Sequence, residues 1–159
     1  MANTQALCTS FMGELLTATH NFSAVNPAHT LNTVDVFKAA LFLSSATLNA
    51  ATTVYSTTGE VSGTGYTSGG INVTNAVEPI AANTSVTAGT AYWTPSASLV
   101  YSTVSLPTTF DTVLIYNSTQ ANKAVSVHTF GPQTVTAGTF TLTMPANDLT
   151  NALLRLATT

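Results

Sequence analysis

The chain has 159 residues, 45% apolar and only 6% charged, with a net charge of −3. That length suits one domain with a real core. Three Lys or Arg residues cannot line a track for phosphate backbones, which argues against a nucleic-acid partner, and no apolar run has membrane-spanning length.

The N-terminus, MANTQALCTSFMGELL, carries no positively charged leader region and is not expected to be a signal peptide. Residues 4–20 predict a helix. Leu7, Phe11 and Leu15 recur every four positions, flanked by Cys8, Met12 and Leu16. Asn3 or Thr4 is the expected cap. A polar linker with Pro27 follows, over 21–33. The chain therefore divides into a helical arm with its linker, 1–33, and a β domain, 34–159. So wide an apolar stripe, set off by a polar linker, predicts that Leu7, Phe11 and Leu15 contribute to subunit contacts as well as to local packing. Cys8 is the single cysteine, so an internal disulfide is excluded.

Val34–Leu43 reads as the first long strand, with Phe37, Ala39, Leu41 and Leu43 on one face and Lys38, Ala40 and Phe42 on the other. Residues 44–58 fit either a short helix or an irregular loop. Residues 59–70, GEVSGTGYTSGG, look superficially like a dinucleotide-binding loop. They lead into the strand-like Ile71–Thr74 and not into a helix, so the glycines are read as allowing positive φ or close backbone approach. Further strands are expected over 71–76, 86–94 and 98–106, punctuated by Pro79, Pro95 and Pro107. The centre of the fold is expected at Phe110–Phe130. There the apolar run Val113–Tyr116 and the alternating Val125 and Val127 form a hairpin, its first strand buried on both faces and its second on one. VTAGT occurs at 86–90 and again at 135–139, each expected to make a turn or bulge in a strand pair. Asn147 and Asp148 mark a last turn, and ALLRLA at 152–157 closes the chain with Leu154 and Leu156 on one face. The pattern predicts an all-β fold: an antiparallel sandwich or jelly-roll-like domain of about eight strands with an N-terminal α-helix.

Chemistry is harder to find. No two of Glu14, Asp35, Glu60, Glu78, Asp111 and Asp148 are brought together by local structure, and His20, His29, His128 and Cys8 match no zinc-ligand spacing. No nucleophile-elbow pattern supports a Ser-His-Asp triad. His128 reads as a strand-face residue and Cys8 as a small buried hydrophobe. The sequons at Asn21, Asn72, Asn83 and Asn117 are read as chance. No catalytic residue, metal or cofactor is expected. Trp93, with Tyr55, Tyr66, Tyr92, Tyr101 and Tyr116, fits core packing or interface burial better than a sugar-binding patch.

Five phrases, in order, resemble a family of small tailed-bacteriophage virion proteins: DVFKAALFLSSATL at 35–48, TGEVSGTGYTSGG at 58–70, FDTVLIYNST at 110–119, KAVSVHTFG at 123–131 and VTAGTFTLTMP at 135–145. The resemblance implies a virion structural protein without enzyme activity. It would be made in the host cytoplasm and be similar to capsid decoration (cement) proteins that bind the major capsid protein lattice, with a homotrimer favoured. A tail, neck or fibre subunit is the alternative, and a carbohydrate-binding module reading glycans near Trp93 is the third. No site residues come with the resemblance. The residues agree with it: a particle protein made in a reducing compartment has no use for disulfides, and low charge limits repulsion between closely packed copies.

Overall fold

The computed structural model describes residues 2–22, 34–74, 79–83 and 89–158. They form an antiparallel, all-β sandwich of eight strands with one short helix. The elements are β1 (Ala6–Leu7), α1 (Thr9–Leu16), β2 (Phe37–Leu43), β3 (Ile71–Asn72), β4 (Ile80–Asn83), β5 (Gly89–Trp93), β6 (Leu99–Asn117), β7 (Lys123–Leu142) and β8 (Leu154–Ala157). One sheet runs β1-β7-β6-β2-β3 and the other β4-β5-β8.

The expected hairpin is the middle of the larger sheet. β6 lies between β7 and β2, and Val113, Ile115, Val125 and Val127 are each at most 3% exposed. Burial exceeds the expectation for the second strand: Ser126 is fully buried as well, so both faces of 124–127 are covered. The register explains how each face is filled. Ala39 pairs with Ile115 and Leu41 with Val113, whereas Lys38 pairs with Tyr116 and Ala40 with Leu114. On the first face, Trp93 of the smaller sheet meets Phe37 at 6.3 Å between ring centroids, with Phe22 between them, 4.3 Å from Phe37 and 5.0 Å from Trp93. On the second, Tyr55 stacks on Tyr116 at 4.4 Å and meets Phe42 edge-on. Residues 44–58, open between helix and loop in the sequence, are turns and extended chain that lie against this second face.

Two expectations are corrected. The helix begins at Thr9, not near residue 4, because the preceding backbone is held extended. Thr4 N–H donates to Leu48 O, Ala6 and Leu7 pair with Val127 and Ser126, and Cys8 N–H donates to Val125 O. Asn3 caps nothing in the helix: its amide donates to Leu43 O and Asp111 Oδ1 and accepts from Leu48 N–H. Nor do 98–106 and 110–116 form separate strands. They are one 19-residue strand that passes through Pro107. Pairing skips from Leu106↔Val135 to Phe110↔Gln133, so Pro107 sits in an irregularity where its missing N–H breaks no ladder bond.

The second VTAGT copy behaves as expected. Ala137 has φ 45°, Thr103 has φ 55°, and the β6–β7 register shifts on both sides of Val104↔Gly138. Most of the first copy falls outside the described residues.

Candidate functional site

The glycine-rich loop is a packing device, not a phosphate cradle. A Cβ on Gly63 would lie 1.9 Å from Ser105 O, one on Gly65 2.2 Å from Thr103 O, and one on Gly70 1.8 Å from Ala39 O. The loop therefore lies backbone-to-backbone against β6 and β2. Its centre is Glu60, whose carboxylate accepts from the hydroxyls of Tyr55, Tyr66 and Ser68 and from Gly69 N–H, at 2.6–2.8 Å. Tyr66 in turn accepts from Leu41 N–H, and Tyr101 and Tyr116 donate to Ala39 O and Gly69 O. Burial pushes the Tyr116 phenol up to about 12 and the Tyr66 and Tyr101 phenols higher still, so these tyrosines stay protonated and act as donors. The four bonds to Glu60 come from Tyr55 and from the loop itself.

A second polar centre joins the arm to the sandwich. His20 has a fully buried side chain; its Nε2 lies 2.7 Å from Glu14 Oε2 and its Nδ1 2.9 Å from Asn117 Nδ2. Asn117, also fully buried, donates to Asp35 Oδ2 at 2.7 Å. Asp35 further accepts from Asn21 N–H and the Gln120 amide, and Lys123 Nζ donates to Glu14 at 2.5 Å. Burial raises the Glu14 carboxyl, but the hydrogen bonds from Lys123 and His20, with the Lys123 charge, outweigh it and hold it below the usual range. The structure thus brings together two acids, Glu14 and Asp35, that no local spacing connects. The His20 imidazole, Asn117 and Asp35 are enclosed, while Glu14 and Lys123 reach the surface. Asn117, the fourth sequon, is likewise closed to a glycan in the folded chain.

On β7, His128 Nε2 lies 2.9 Å from Ser126 Oγ, as a nucleophile–base pair would. Ser126 itself is fully buried and His128 half-buried, and both border an open cleft between β1, β7 and β8. Burial pushes the His128 imidazole down to about 4 from 6.5, which makes a titration test. Between those values the unfolded chain binds a proton that the native chain does not. Stability is therefore full above about pH 6.5 and falls as the pH drops through that window. Thermal melts should lose midpoint steadily from pH 7 to 4, and His128→Gln should flatten the slope. A flat profile in the parent chain would mean that His128 titrates normally.

Cys8 is buried and its thiol is raised to about 11 by burial and then by Glu14, an inert state. Among the described residues no group of three His, Cys, Asp or Glu could hold a metal, and no helix is long and apolar enough to cross a membrane. Trp93 is 2% exposed within the Phe22 and Phe37 cluster, so it offers no sugar platform.

Apolar surface stands outward around α1. Phe11 is inside the chain's own core, 2% exposed, against His20 and Phe22. Leu7 and Leu15 are half-buried and, with Tyr92, Leu154 and Leu156, line an apolar groove of about 80 Å³ between α1 and the smaller sheet. Leu16, 90% exposed, and Met12, 44% exposed, stand outward on α1. All three residues expected at an interface border this groove, Phe11 from within the core and Leu7 and Leu15 half-buried. No family model, curated protein or solved structure matches the chain.

Proposed function

We propose that this chain is a structural subunit of a bacteriophage particle, acting as a decoration (cement) protein on the major capsid protein lattice and assembling as a homotrimer. The observation that carries this reading is where the resembling phrases fall. They lie on β2, the glycine-rich loop, β6 and β7, one continuous unit of main sheet and covering loop. The interior arrangement supports a non-enzymatic role, since the strong polar centres at Glu60 and His20 are consumed in holding the chain together. The outward apolar residues of α1 supply a contact surface without charge repulsion.

Particles lacking the protein, incubated with purified chain, test it. Binding should saturate in numbers comparable with the major capsid protein, and Leu16→Asp should abolish binding while leaving the melting temperature within a degree or two. Saturation at a few copies on one vertex would favour a tail, neck or fibre subunit instead. Failure to bind any part of the particle would end the reading. Because Cys8 and Phe11 belong to the core and β1 to the main sheet, deleting residues 1–24 should destabilise the sandwich. Phe11→Ala alone should cost about 3–5 kcal/mol in denaturant unfolding.

A further inference from the structure

We propose that His20 is an acid-labile latch that joins α1 and the start of β2 to the β6–β7 turn. The hydrogen-bond pattern fixes its form. Asn117 Oδ1 accepts from Thr119 N–H and Gln120 N–H, at 3.1 and 3.2 Å, and its Nδ2 donates to the Asp35 carboxylate. Turning the amide over would set oxygen against that carboxylate and NH₂ against two N–H groups, so its orientation is locked. The same Nδ2 faces His20 Nδ1, which must then be the acceptor, leaving Nε2–H to donate to Glu14. His20 is neutral, with its proton on Nε2.

A proton arriving at Nδ1 would point N–H at N–H across 2.9 Å, in a site where the imidazole has no contact with water. A buried donor without an acceptor is unstable, and neither remedy is at hand, because Asn117 cannot turn. The charged groups around the ring do not remove the conflict. Glu14 from α1 is already matched by Lys123 from β7. Asp35, ahead of β2, is reached only through the Asn117 amide and is engaged by Asn21 and Gln120. Phe11 and Phe37 close the ring faces at 5.0 and 6.4 Å. Relief comes by separating His20 from Asn117, which parts the arm from the turn. A proton at Nδ1 is therefore coupled to the opening of this joint. This does not depend on what the protein assembles with.

Two NMR measurements on the full chain test the latch. Long-range nitrogen–proton correlation at pH 7 should find the His20 proton on Nε2 alone. Hydrogen exchange should then report opening: relative to Leu114 and Val127 in the sheet, the Asp35 amide (bonded to Asn21 O) and the Thr19 amide (bonded to Glu14 O) should lose about tenfold protection between pH 7 and 5. Glutamine can accept from Asn117 and donate to Glu14 without gaining a proton, so His20→Gln should abolish that loss. A proton on Nδ1 at neutral pH, unchanged relative protection in acid, or an acid response that survives in His20→Gln would each overturn the proposal. The first two are read on the parent chain, whatever the variant's stability.

Discussion

Gly70→Ala should cost more than about 3 kcal/mol in denaturant unfolding, or prevent folding altogether. Gly70 has φ 70°, where a side chain alone costs roughly 1–2 kcal/mol, and its added Cβ would sit 1.8 Å from Ala39 O and 2.7 Å from Ala40 Cα. Those are backbone atoms in the middle of β2, so no rotamer change relieves the overlap. Either β2 moves off β6 or the loop lifts and exposes the Glu60 centre. Gly131→Ala is the matched control: nothing lies within 4 Å of its Cβ and its φ is not positive. That change should leave stability within about 0.5 kcal/mol of the parent. Equal effects at the two positions would mean that the loop does not lie on the sheet as described.

Ile115→Ala should cost about 2–5 kcal/mol, the range for large-to-small changes in a tight core. Ile115 is 1% exposed at the centre of the sheet, opposite Ala39 on one side and Ser126 on the other. Two small neighbours leave little side-chain bulk to collapse into the hole. Val100→Ala, on the same strand but 44% exposed, should cost well under about 1 kcal/mol by comparison. A loss below about 1 kcal/mol at Ile115 would move the core elsewhere.

The hairpin was legible because its signal is local: an unbroken apolar run, a polar turn and an alternating strand specify their own pairing. The role of the glycines was legible for the same reason, since a GxGxxxGG string with no helix after it leaves only φ and close approach. The length of β6 was not. A proline reads as a stop unless the partner strand is known to skip there, and that is a property of the β6–β7 register. The helix start failed similarly, because the competing bonds of residues 4–8 come from Leu48 and from β7. The polar centres were invisible for want of any spacing to read: Asn117 is 97 positions from His20 and 82 from Asp35. The arm's apolar stripe pointed to Leu7, Phe11 and Leu15 together, yet only the fold distinguishes the inward ring of Phe11 from the outward Leu16.

The strand order has a consequence for how the chain is made. β2 pairs with β6 and β1 with β7, so the first part of the chain waits for partners near its other end. At a synthesis rate of roughly 5–20 residues per second, β2 emerges on the order of ten seconds before the strand that completes it. Closure of β6 on β7 needs only the short Asn117–Lys123 turn and carries the smallest loop entropy in the main sheet. The nucleus therefore forms late in translation, and the amino-terminal segments condense onto it. Until then the apolar β2, FKAALFL, has only β3 and the glycine-rich loop to pair with, so its other edge stays open on the ribosome and invites aggregation most just before the hairpin appears.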